Sequence, residues 1–336
     1  MMRLSALFAA ALAAGVLVWP LAATSAGLQV DSSTISHFGV GSMERAFGRL
    51  EFVGGISYSS PDRLVGAVSA IRFRPDGTHF VAVLDTGHWM TGAIRRNEEG
   101  ALSGLAEVQV SSMLNAEGRD ENAKWMMDAE GLALAPGVAI VSYEQRHRVD
   151  VYPDPGFERS APKGSYPIPF PRSELSTNRG FETLVVAPAD GPLAGAPLIV
   201  AERSLDAHGN LLAAILDGPM RGSFTVVRND PWDATDGAFL PNGDLLLLER
   251  RFRLADGIGM RIRRIKGADI RPGAVVDGEV LIDADMSHQI DNMEGIDVLQ
   301  MPDGDIRIII VSDDNHSILQ RDLMLEFRLI GGQHPS

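Results

Sequence analysis

The chain contains no cysteine. That absence excludes disulfide staples, thiolate zinc sites, iron–sulfur clusters and cysteine nucleophiles. Positive charge is scarce as well: 30 Lys+Arg stand against 44 Asp+Glu in 336 residues, a formal charge of −14. A nucleic-acid partner needs a basic footprint, so that class is set aside. A small anionic substrate is not, because a local cluster of arginines overrides global charge. No Gly-x-Ser-x-Gly elbow and no His-Glu-x-x-His pair occurs, and no twelve-residue EF-hand loop. His147, His288 and His316 read as solvent-facing loop residues. Long amphipathic helices are missing too. What is present is ample apolar material: 45% hydrophobic residues suffice for a packed core and rule out wholesale disorder.

The first 26 residues carry targeting chemistry. Arg3 precedes an apolar run over residues 4–18, then Trp19-Pro20, then the small residues Ala22-Ala23-Thr24-Ser25-Ala26. This order predicts a signal peptide over 1–26, cleaved after Ala26. The run is shorter than the ~20 residues of a membrane span. The expectation is a periplasmic or secreted protein with no membrane contact after cleavage. Residues 27–336 are expected to form a single domain. Nothing in them suggests assembly, so a monomer is expected.

Five segments share one grammar: a polar or acidic start, a β-rich run, a turn, a second apolar run and an acidic end. They cover 69–85, 130–144, 182–202, 236–249 and 294–313, with turns such as Pro75-Asp76-Gly77, Pro241-Asn242-Gly243 and Pro302-Asp303-Gly304. A period of about 40–60 residues is that of propeller blades. Unbroken apolar runs such as Leu245-Leu246-Leu247-Leu248 predict strands buried on both faces. Weaker outer strands fall at 260–266 and 278–282. The fold class expected is therefore all-β, a β-propeller with five visible four-stranded blades. A strand near 46–53 would supply the fourth strand of the last blade and close the ring. A sixth, degenerate blade stays open, with a β-sandwich or open barrel as the alternative fold.

The repeat places an acid near the start of four first strands: Glu130, Glu182, Asp236 and Glu294. It places another at the end of every second strand: Asp85, Glu144, Glu202, Glu249 and Asp313. Equivalent positions in repeated blades lie at similar heights, so these acids should form rings around the axis. Crowded carboxylates need compensation. Hard cations with oxygen ligands provide it, as do arginines, and Arg146, Arg203 and Arg250 follow the second acids. Blade-to-blade salt bridges are the alternative use of the same residues. Asn178, Asn292 and Asn315 stand beside the acids and suit either calcium ligation or turn chemistry. Trp125 and Trp232, shortly before blade starts, read as rim packing.

Several phrases in order resemble the phytase-like family described as "esterase-like activity of phytase": Asp128-Ala129-Glu130-Gly131-Leu132, Asn178-Arg179-Gly180-Phe181-Glu182, Thr235-Asp236-Gly237, Leu248-Glu249-Arg250-Arg251-Phe252, Asp291-Asn292-Met293-Glu294-Gly295 and Ser312-Asp313-Asp314-Asn315. The resemblance spans about residues 50–330. It implies a propeller with its site in the central channel and hydrolysis of a phosphoester or ester. The reading that follows puts an axial Ca²⁺ on Glu130, Glu182, Asp236, Glu294 and Asp313. Glu202, Glu249 or Glu144 would serve as catalytic carboxylate, and Arg146, Arg203 and Arg250 would bind a small anionic ester or phosphoester. Two other classes stay open: a non-catalytic binding propeller with a structural metal, and a lactonase or carboxylesterase.

Overall fold

The computed structural model describes residues 27–120, 124–177, 179–255, 257–315, 317 and 319–331. The expected signal peptide, Asn178 and His316 lie outside the described residues. Five sheets form the blades of a β-propeller, antiparallel except where the short strand Val275–Val276 adds in parallel to the outer edge of the third. Blade I comprises Val68–Phe73, His79–Leu84, His88–Arg96 and Leu102–Ser112, from the axis outwards. Blade II comprises Ala129–Ala135, Val138–Tyr143, Arg148–Pro153 and Gly164–Tyr166. Blade III comprises Thr183–Val186, Pro197–Leu205, Leu211–Ile215 and Gly222–Val226. Blade IV comprises Asp233–Phe239, Leu245–Arg253, Gly257–Ile265 and Glu279–Ala284.

Blade V takes Asn292–Gln300, Ile306–Asp313 and Asp322–Leu329 from one end of the chain and Leu50–Ser59 from the other. The closing strand thus starts four residues later than the sequence indicates. Ala46–Phe47 forms a separate short strand that folds back on Leu50–Glu51. Asp31–Ile35 adds a further strand outside the closing one. Among the described residues there is no sixth blade. The helical segments described are single 3₁₀ turns, and none is long and apolar enough to cross a membrane.

Each blade is buried on both faces, which explains the unbroken apolar runs. Alternate residues of Leu245–Arg253 serve different neighbours: Leu246 and Leu248 pack with Phe52, Ile308 and Phe327 of blade V, whereas Leu245 and Leu247 pack with Leu198 and Leu211 of blade III. Similar clusters join blades I and II around Trp89 and Tyr152, II and III around Phe181 and Ile199, and V and I around Ile56 and Phe80. The core is therefore a set of interblade seams, and the polar ends of the inner strands converge on the axis.

Candidate active site

Strand register decides which side chains reach the axial channel. Residues Ala70, Gly131, Thr183, Asp236 and Gly295 of the innermost strands stand opposite Val83, Ser142, Val200, Leu248 and Val311. In blades I, II, IV and V one bulged residue precedes that pair: Ser69, Glu130, Thr235 and Glu294. Glu182 holds the same place in blade III. Two residues beyond the pair on the second strands stand Asp85, Glu144, Glu202, Arg250 and Asp313. Those five, together with Ser69, Glu130, Glu182 and Glu294, line an axial cavity of about 620 Å³. Asp128, Arg179, Arg203, Asp233, Arg251, Phe252 and Asn292 complete most of its wall.

This register corrects two expectations in blade IV. Asp236 is aligned with Gly131 and Gly295, not with Glu130 and Glu294. A shift of one residue turns a strand side chain to the other face. Asp236 accordingly leaves the cavity wall and grips Arg72 with both oxygens, at 2.7 and 2.8 Å, and accepts the Ile296 amide at 3.0 Å. Arg72 also donates to the carbonyls of Leu184, Gly237 and Ile296, tying the inner strands of four blades together. This buried pair is structural. Glu249 is displaced in the same way: it is fully buried, bonded by Arg261 at 2.6 Å and by Arg263 at 2.7 and 2.8 Å. It is no free base. Arg250 takes the ring position instead.

Arg146 also departs from expectation. It is exposed, does not line the cavity, and places its guanidinium 5.7 Å from the centroid of the Trp125 ring. Trp232 is buried at the rim between Arg251 and Arg261. Arg203 lines the cavity but is bonded to Asp233, which also holds Arg228. Arg250 bonds Glu294 and Asn292 and lies 3.4 Å from Glu202. His147 and His288 lie outside the cavity wall.

The acids gather towards blades I–III. Oxygens of Asp128, Glu130 and Glu144 come within 4.8 Å of one another, as do those of Glu144, Glu182 and Glu202. Glu144 belongs to both groups. Burial is the main influence on it and, with Asp128 and Glu202, outweighs the Gly180 amide at 3.0 Å; its carboxyl is pushed up to about 7. Burial and the neighbouring Asp128, Glu144 and Asp85 carry Glu130 well above the carboxylate range. Burial and Glu202 do the same to Glu182, against the pull of Arg250. Glu182 Oε2 is buried with no hydrogen-bond partner. Glu294 lines the same cavity but is committed to Arg250, and Asp313 falls in a different acidic group with Asp314 and Asp322.

Sequence reasoning assigned no role to Asp128, Arg179, Asp233 or Arg72. One signal for the register was present: Ser69, Glu130 and Thr235 each stand six residues before a turn proline, Pro75, Pro136 and Pro241. Counting from the turn aligns Thr235, not Asp236, with Glu130.

A five-bladed propeller with a polar axial cavity is the class that the fold and site define. The sequence matches the family described as "Phytase-like: Esterase-like activity of phytase" over residues 63–316. The chain belongs to that family. No curated protein matches it. Among solved structures, the PQQ-bound aldose sugar dehydrogenase from Streptomyces coelicolor is 10% identical, with 90% of this chain and 99% of that chain covered, at a TM-score of 0.43. A chain of the nidogen/laminin complex is 10% identical, with 84% and 88% covered, also at 0.43. Neither bears on what this chain does.

Proposed function

We propose that the axial cavity is the active site of an exported hydrolase that cleaves phosphoesters or related esters with a hard divalent cation, calcium first among them. The observation that carries this reading is a cavity lined by converging carboxylates with arginines interleaved among them. The buried, unpartnered Glu182 Oε2 lies among the acids. An all-oxygen donor set suits calcium rather than zinc. Asp128 and Glu130 would hold the ion beside Glu144, which Glu182 and Glu202 join in the second convergent group. The ion would supply positive charge for the phosphoryl oxygens and lower the pKa of a water.

The chain's own groups do the rest. Glu144 is fixed by the Gly180 amide and poised at about 7, suited to accept the proton of the attacking water. Glu202 lies beside Arg250 and helps hold that guanidinium on the cavity wall. Arg179, Arg203 and Arg251 offer N–H donors to an anionic substrate. As water oxygen bonds to phosphorus, the P–O ester bond breaks and the leaving oxygen takes up a proton. The same groups would serve a carboxylester, with the acyl carbon in place of phosphorus.

The test is a panel of a phosphomonoester, a phytate and carboxylesters, assayed with Ca²⁺ and with chelator on protein lacking residues 1–26. Calcium-dependent phosphate release is the expected result. Turnover of carboxylesters alone would move the reading to an esterase or lactonase. No turnover, with a chelator-sensitive melting temperature, would make this a binding propeller with a structural metal.

A further inference from the structure

A second acidic group lies where the two ends of the chain meet in blade V. Asp313 ends the second strand, Asp314 follows it, and Asp322 opens the third strand opposite Tyr58 of the closing strand. Oxygens of the three aspartates lie within 4.8 Å of one another. Asp322 is 5% exposed, and its Oδ1 has no hydrogen-bond partner. A buried carboxylate oxygen left without a partner costs free energy unless something absent from the protein itself satisfies it. Asp291 adds a fourth negative charge nearby. Arg321 lies 3.6 Å from Asp291 and is bonded to Gln289 and the Ile290 carbonyl. The charges that act most strongly on Asp322 are all negative: Asp314, Asp313 and Asp291.

We propose that Asp313, Asp314 and Asp322 form a second cation site, specific for a calcium-like divalent ion, that ties together the second and third strands of blade V next to the closing strand. The donors are oxygens only, three or more are in reach of one point, and Ca²⁺ tolerates the irregular geometry that such a seam provides. Asp314 is partly exposed and gives the ion a way in. One ion here joins the ends of two strands from the C-terminal part of the chain, the second of which pairs with the N-terminal closing strand. Its role is stability, and it does not depend on the axial cavity being catalytic.

The experiment counts calcium bound to chelator-stripped protein by equilibrium dialysis and follows thermal unfolding with and without Ca²⁺. Four proteins are compared: wild type, Asp322→Asn, Asp314→Asn and Glu182→Gln, the last marking the axial site. Asp322→Asn is expected to bind one calcium fewer than wild type and to lose most of the calcium-induced rise in Tm. Asp314→Asn changes a partly exposed side chain and carries the same test if Asp322→Asn does not fold. Glu182→Gln should keep the seam ion and its effect on Tm. Equal calcium counts in wild type and both seam variants, or no calcium bound by wild type, would overturn the proposal.

Discussion

Single residues in this propeller owe their roles to which side of an inner strand they occupy. Glu182 and Glu249 are both buried acids of the repeat, yet one faces the axis and the other is clasped by two arginines. Breaking a buried ion pair by removing one partner costs about 3–5 kcal/mol. Asp236→Ala should therefore lower stability by about that amount, measured by urea denaturation, since Arg72 would be left buried without its counter-ion. A loss below about 1 kcal/mol would contradict a structural role for the pair. The raised carboxyls give a second prediction. Glu144, Asp297 and Asp322 are pushed up to about 7, 6 and 8, chiefly by burial. The folded chain holds these protons more tightly than the unfolded chain does. The contribution of these three groups to stability in chelator is then full below the usual carboxylate range and is lost as pH climbs through about 6 to 8. A Tm that rises over that window in chelator would contradict this.

At the scale of elements, the bulge in the inner strands of blades I, II, IV and V is the device that presents the ring. Its neighbour must be small where blades crowd. A Cβ on Gly131 would sit 2.4 Å from Ser142 Oγ and 2.5 Å from the Glu182 carbonyl. Gly131→Ala should cost about 1–3 kcal/mol through overpacking. It should also weaken calcium binding, because the Glu182 backbone must move. Wild-type calcium affinity in that variant would speak against the coupling. The blades themselves were legible from sequence, because unbroken apolar runs and Pro/Gly turns recurring at blade spacing report strand and hairpin directly. The ring was legible only in part. Glu130, Glu182 and Glu294, with Asp85, Glu144, Glu202 and Asp313, line the cavity as the repeat indicates. Blade IV does not, because its Asp236-Gly237 mimics the Glu130-Gly131 dipeptide while standing one residue later. Composition cannot see a bulge; only spacing from the turn proline can. Arg146 was misplaced for a related reason: sequence proximity to Glu144 carries no information about direction once the strand has ended.

For the whole molecule, closure is the decisive feature. Leu50–Ser59 pairs with Asp322–Leu329 and covers Phe327, Leu325 and Met324, all buried. A ring built from sequential blades has two open edges until that strand docks. Deleting residues 27–59 should abolish cooperative unfolding and yield aggregated protein, whereas deleting 27–36, the strand outside it, should leave a folded ring. Urea curves on both truncations check this, and a cooperative transition in the larger deletion would contradict it. Closure also fixes the cavity, since Glu294 and Asp313 belong to the blade that completes the ring.

The most direct measurement is calcium-dependent phosphate release by Glu182→Gln and Glu249→Gln beside wild type, at matched amounts of folded protein. If the axial ring is the site, Glu182→Gln loses at least 100-fold in rate, the order of a removed electrostatic contributor. Glu249→Gln melts lower but turns over at the wild-type rate wherever it is folded. Full activity in Glu182→Gln, or selective loss in folded Glu249→Gln, would contradict the account.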